Sequence, residues 1–199
     1  MSSGDKNNSA NNRAVELWLE KNWKKCLAGM VAVIVVAMAV FFVFYQRNSN
    51  AEKIALAFAG APVDKLPALL VENSDAPGAS VARLRLASYL QMEKKDFSAA
   101  KIQYDLLAAD KNLPQSVREN ARISAAKCEE SLGRTKEAAE TLFIIFNDAS
   151  VISEIRNEAG FQAARLFSGL NDPRAKIVFE KLSQFPETAS LASAMLKTM

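Results

Sequence analysis

GRTKEAAETLFIIF, residues 133–146, decides how the larger part of this chain folds. Taken alone, FIIF at 143–146 could pass for a strand. Its flanks are helix formers, and apolar residues recur at spacings of three and four. Ala139, Phe143 and Phe146 therefore share one helical face. The pattern returns without gaps on both sides, 39 residues earlier in KKDFSAAKIQYDLL (94–107) and 36 later in GLNDPRAKIVFEKL (169–182). Ala100, Ala139 and Ala175 coincide, then Tyr104, Phe143 and Phe179, then Leu107, Phe146 and Leu182. Further upstream, Leu86, Ala125 and Phe161 coincide, as do Tyr89, Cys128 and Ala164. Asp96, Thr135 and Asn171 also fall together, and all three residue types cap helix N-termini. Pro173 then lies in a first turn, where proline is tolerated.

The repeat has a simple physical logic. A small alanine lets two helices approach, the aromatic four residues on fills the space beyond it, and the next Leu or Phe extends the stripe. Each unit is a helical hairpin that cannot bury its apolar face alone, so stacking is required. The spacing predicts helices over roughly 51–60, 64–73, 79–93, 97–110, 115–132, 136–147, 151–168, 172–185 and 188–197. Breakers separate them at Gly60-Ala61-Pro62, Ala76-Pro77-Gly78, Leu113-Pro114, Gly133, Gly169 and Pro186. The alanine and aromatic positions resemble the second helix of the tetratricopeptide repeat (TPR) superfamily. That resemblance implies a right-handed solenoid with a concave and a convex face. Two departures stand beside it: the W-x2-L-G-x2-Y signature is absent, and the spacings exceed the ~34 residues usual there.

Outward toward the N-terminus lies WKKCLAGMVAVIVVAMAVFFVFYQR, residues 23–47. The 20 residues from Cys26 to Tyr45 carry no charge, and eleven of them are Val, Ile, Leu or Phe. At ~1.5 Å per residue, such a helix matches the ~30 Å hydrocarbon thickness of a bilayer. A cleaved signal peptide fits poorly, because the apolar run is long and its exit, FFVFYQRNSN, is bulky rather than small. A buried soluble helix fits poorly too, because the run is apolar on every face. The reading is a retained anchor. Lys21, Lys24 and Lys25 crowd its first edge and Arg47 alone marks the other, which places the N-terminus in the cytoplasm. Trp18, Trp23 and Tyr45 suit the two interfaces. VELWLEKNW sets Val15, Trp18, Leu19 and Trp23 on one face, suited either to lying on the membrane or to extending the span. Ala28 and Ala32 have the small-xxx-small spacing that permits close helix packing in lipid. The expected organisation is a disordered cytoplasmic tail at 1–12, an amphipathic juxtamembrane segment at 13–25, a transmembrane helix at 26–45, a linker at 46–50 and an all-α, TPR-like domain at 51–199.

Charge and composition exclude much else. Residues 1–49 hold six Lys/Arg against three acids, whereas residues 50–199 hold 19 of each. A neutral domain lacks the bulk field of a nucleic-acid binder. The chain has no histidine, which removes the commonest acid–base group and metal ligand. Cys26 and Cys128 are too few for a metal cluster, and Cys128 reads as a small core residue. No phosphate loop, nucleophile elbow or metalloprotease motif occurs. The reading is a binding protein with no catalytic residues, cofactor, metal or small-molecule substrate. Arg83, Arg122 and Glu158 fall at equivalent repeat positions with Arg165 nearby, and these are the candidate partner-binding residues.

The RAVELWLEKNWKK segment, one span and a TPR-like domain of this size together look like the YfgM-type ancillary subunits of the bacterial Sec translocon, over residues 13–199. The resemblance implies an inner-membrane protein with a periplasmic domain. Its implied partners are SecYEG subunits, a membrane-anchored chaperone or prolyl isomerase, and emerging secreted chains. The alternative is a tethered scaffold for envelope-assembly or division complexes. A mitochondrial import receptor would face the cytosol, against the lysine cluster.

Overall fold

The computed structural model describes the backbone of residues 3–199 and the side chains of all of these except residues 3–17, 19, 26 and 47. Among the described residues every regular element is a helix and there is no strand. The chain divides into two compact units, Met1–Lys53 and Ile54–Met199.

The first unit consists of helix α1 (Ser3–Gly60), whose last residues belong to the second unit. Every described side chain from Leu27 to Tyr45 is exposed, including Phe41 at 70% and Phe44 at 73%. From Glu20 onward α1 is long and apolar enough to cross a membrane. Trp18, Trp23 and Tyr45 are exposed on it, as are Ala28 and Ala32. The side chains of Cys26, Val15 and Leu19 lie outside the described residues.

Two expectations are corrected here. The supposed linker at 46–50 is helical, and α1 also takes in residues 3–12, expected to be disordered. Asn and Ser cost only ~0.5 kcal/mol each in a helix. Once nucleated, a helix propagates through such residues unless proline or a run of glycines stops it. The first such stop is Gly60-Ala61-Pro62.

The second unit continues through a 3-10 turn (Val63–Lys65) into α2 (Leu66–Glu72), α3 (Ala79–Met92), α4 (Phe97–Ala109), α5 (Gln115–Ser131), α6 (Thr135–Asn147), α7 (Ser153–Gly169), α8 (Arg174–Leu182) and α9 (Pro186–Thr198). From α2 to α9 each helix packs on the next in the chain, and α5 also meets α7. FIIF is helical, within α6. Arg85 of α3 donates to the carbonyls of Phe58 (2.8 Å), Ala59 (3.3 Å) and Ala61 (3.2 Å), satisfying acceptors that the end of α1 would otherwise leave open.

The interior is a row of four apolar clusters. Phe58, Leu66, Leu70 and Leu86 anchor the first. Tyr104, Leu107 and Cys128 anchor the second, and Ile123, Leu142, Ile145 and Phe167 the third. Phe146, Phe179, Leu182 and Ala192 anchor the fourth. The sequence repeat is the code for this row. Ala100, Ala139 and Ala175 are each 0% exposed. Tyr104, Phe179, Leu107, Phe146 and Leu182 are buried. Phe143 is half-buried, its ring edge-on to Phe167 at 5.6 Å. Upstream, Leu86, Ala125, Cys128 and Ala164 are buried, and Phe161 and Tyr89 half-buried.

The caps do not repeat as the core does. Asp96 caps α4 as expected, accepting from the Ala99 N–H at 3.0 Å. Thr135 instead begins α6 itself, and Asn171 sits in the preceding turn with φ +55°. For α8 the side chain that takes over is Asp172, which accepts from the Arg174 N–H at 2.9 Å. Turn residues face solvent and satisfy their own backbone locally, so their register drifts. Core residues face a neighbouring helix and cannot drift.

Candidate functional site

Helix α7 opens after an extended Ile152. Residues 154, 157, 158 and 161 follow one another at helical spacing along one face of it. Beside that face stands α9, whose Glu187, Thr188 and Leu191 face it across a groove of about 400 Å³. Phe161 and Leu191 are its apolar residues, and Phe161 is itself braced edge-on against Phe179 at 5.7 Å. Three carboxylates line the groove, Glu154, Glu158 and Glu187, with no Lys or Arg among the lining residues. Asn157 also lines it. This residue is only 6% exposed, and its Oδ1 is buried with no hydrogen-bond partner among the described residues. Leaving such an oxygen unpaired costs ~1–3 kcal/mol. On its other side Asn157 reaches a second groove, lined with Phe146, Asn147, Arg156, Lys181, Gln184 and Phe185. The two grooves carry opposite charge and share one amide wall.

The four residues predicted from the repeat positions do not converge. Arg122 turns to the buried Glu119 on its own helix at 2.8 Å. Arg165 forms a two-pronged pair with Glu130 of α5, at 2.9 and 2.7 Å. Glu158 reaches Lys127 of α5 at 3.2 Å and accepts from Gln162 at 3.0 Å. Arg83 is half-buried on α3 and makes no ion pair among the described residues. Of the four, Glu158 lines the α7–α9 groove. The pairs of Glu158 and Arg165 tie α7 to α5, so they fasten adjacent hairpins to each other.

Away from the groove, Asp172, Glu140 and Cys128 have altered acidity. Arg174 donates to Asp172 and, at 3.0 and 2.8 Å, to Glu140. These bonds hold the Asp172 carboxyl down at about 2, and Arg174 likewise lowers Glu140. Burial pushes the Cys128 thiol up to about 11, with the nearby Asp105 adding to the effect. Among the described residues, no cluster of His, Cys, Asp or Glu is placed to hold a metal.

Sequence reasoning passed over Asn157. Its signal lay in the repeat itself: the same overlay, carried one turn further upstream, sets Asn157 against Ala82 and Ala121. Both alanines are buried, at 1% and 5% exposed. Leu191 and Glu187 had no such signal, because α9 lies beyond the last repeat. Comparison with family models, curated proteins and solved structures finds no match for this chain.

Proposed function

We propose that this chain is a membrane-anchored, non-enzymatic adaptor whose helical unit is a TPR-like solenoid. The observation that carries the reading is the uncharged, exposed run of α1 from Leu27 to Tyr45, joined to a unit of sequentially packed helices. An apolar helix with every face uncovered is suited to lipid. The stacking of α5 on α7, first helices of successive hairpins, supports the solenoid. The lysine cluster before the span supports an N-terminus in the cytoplasm and a unit on the periplasmic side of a bacterial inner membrane. Tethering raises the local concentration of the unit, so modest affinities suffice for docking.

On the resemblance to YfgM-type subunits, the complex served is the Sec translocon. The docked partner is a membrane-anchored chaperone, a prolyl isomerase or an emerging secreted chain. The test has two parts. A reporter active only in the periplasm, fused after Met199, should be active, and a cytoplasmic reporter there should be silent. Cross-linking from the 51–199 unit in intact cells should recover translocon subunits or periplasmic chaperones. Recovery of division or envelope-assembly factors alone would replace the secretion reading with the scaffold one.

A further inference from the structure

We propose that the groove lined by Arg156 and Lys181 receives an aspartate or glutamate side chain, borne beside an apolar residue of a partner protein. This rests on reading the helical unit as a protein-binding module, but not on its membrane side or its cellular complex. The groove holds about 320 Å³ and has no Asp or Glu among its lining residues. Its two cations come from different helices, Arg156 from α7 and Lys181 from α8. Both are particular to the last hairpin. Where it places Arg156, the earlier hairpins place Val81 and Asn120. Where it places Lys181, they place Leu106 and Ile145. Two uncharged positions of the repeat have thus become basic around one space.

Neither cation is spent on an acid of this chain. Arg156 is half-buried, yet it makes no ion pair among the described residues. By contrast Arg122 and Arg174, also half-buried, each hold a carboxylate at 2.8 Å. Arg83 and Arg118 also lack ion pairs, but neither lines either groove described above. The Nε of Arg156 is sealed within the fold, so a ligand would meet the terminal guanidinium nitrogens. Asp148 feels Arg156 at longer range, but its carboxylate is turned to the Ser150 N–H and hydroxyl, at 2.9 and 2.7 Å. Lys181 lies over the Phe146 ring, 5.8 Å from its centroid, and has no acid partner either among the described residues. A guanidinium offers only donors, and withdrawing one from water costs free energy unless an anion meets it. The remaining lining says what carries that anion. Phe146 and Phe185 give the groove two aromatic residues, and Asn147 and Gln184 give it two exposed amides. Asn147 donates its Nδ2 to the Phe143 carbonyl at 2.8 Å, which leaves its oxygen free to accept. A phosphate group, with acceptors only, has no use for that oxygen, and its hydrated surface gains nothing from the rings. A protein segment uses all three features: a carboxylate for the cations, an apolar neighbour for the rings and a backbone N–H for the amide oxygen.

The test uses the full chain in nanodiscs of zwitterionic lipid, with empty nanodiscs as the blank. The probe is a fluorescent, capped twelve-residue peptide of Ala and Ser with a central Phe-Glu-Phe, read by anisotropy. Saturable binding is expected, weakened at least fivefold when the Glu is replaced by Gln and weakened by added salt. Arg156→Gln should weaken it at least fivefold while leaving Tm equal or higher, since no ion pair is lost and an unpaired charge is removed from the fold. Lys181→Glu, on an exposed position, should abolish it. Equal binding of the Glu and Gln peptides overturns the proposal, as does wild-type affinity in both variants. Competition by inorganic phosphate, or by vesicles of phosphatidylglycerol, at concentrations matching the peptide also overturns it, because the groove would then serve a phosphate or a lipid headgroup. If the peptide fails while cross-linking in cells still recovers protein partners, the groove assignment alone falls. If neither detects a partner, the adaptor reading falls with it.

Discussion

The guanidinium of Arg174 lies 4.1 Å from the centroid of the Phe167 ring. Phe167 is fully buried in α7, while the same guanidinium grips Glu140 of α6 and Asp172 just before α8. One side chain thus fastens three consecutive helices by stacking and by paired hydrogen bonds, a combination that only a planar cation supports. Arg174→Lys should lower Tm by a few degrees and Arg174→Met by more at neutral pH. The carboxyl of Asp172 drops from an ordinary 3.8 to about 2 in the folded chain. Its contribution is complete above pH ~4 and disappears as pH falls through about 2. The Tm gap between wild type and Arg174→Met should therefore narrow as pH falls from about 4 through about 2, leaving the part due to the Phe167 contact, as followed by circular dichroism.

Gly160 lies in the middle of α7, where glycine costs ~1 kcal/mol relative to alanine. A Cβ at this position would come within 2.8 Å of Cε2 in the Phe146 ring, and closer still to Cδ2. The equivalent of Phe146 in the other hairpins is the smaller Leu107 or Leu182. Gly160→Ala should destabilise by ~1–3 kcal/mol despite its better helix propensity. Combining it with Phe146→Leu should recover much of the loss, and denaturant titration of the four variants of that cycle measures the coupling.

Cys128 is 0% exposed, and its thiol sits at about 11. The thiolate is the reactive form. In a Cys26→Ser background, thiol reagents at pH 8 should leave the native chain unmodified and label it stoichiometrically in denaturant. Rapid labelling of the native chain would contradict the burial.

Arg85 closes the end of α1 through three carbonyls. Arg85→Ala should cost ~1–2 kcal/mol. It should also raise amide exchange over residues 58–66 well before it affects α6 to α8. Hydrogen exchange by mass spectrometry resolves the two regions.

The helices of the repeat were legible because each depends on residues that face a neighbour. Ala139, Phe179 and Leu182 have to be apolar and correctly sized, and sequence periodicity records that requirement. What did not register in the pattern is whatever can be satisfied locally. Thr135 and Asn171 are the right residue types for caps, yet the turns between α5 and α6 and between α7 and α8 differ enough to start α6 one residue early, on Thr135 itself, and α8 three residues after Asn171. The polar run at 46–50 reads as a break by composition, although nothing in it forbids helix. The α7–α9 groove was illegible for another reason: half of it belongs to α9, which has no counterpart in the overlay.

The row of four clusters has a consequence for how the helical unit yields. Leu90 packs against both of the first two clusters, and Phe143 against both of the last two. On the solenoid reading proposed above, loosening passes from one hairpin to the next instead of collapsing a common centre. The outermost helix is α9, held by α8 and by the final cluster through Ala192, Met195 and Leu196. Opening should start there, and it dismantles one wall of the acidic groove.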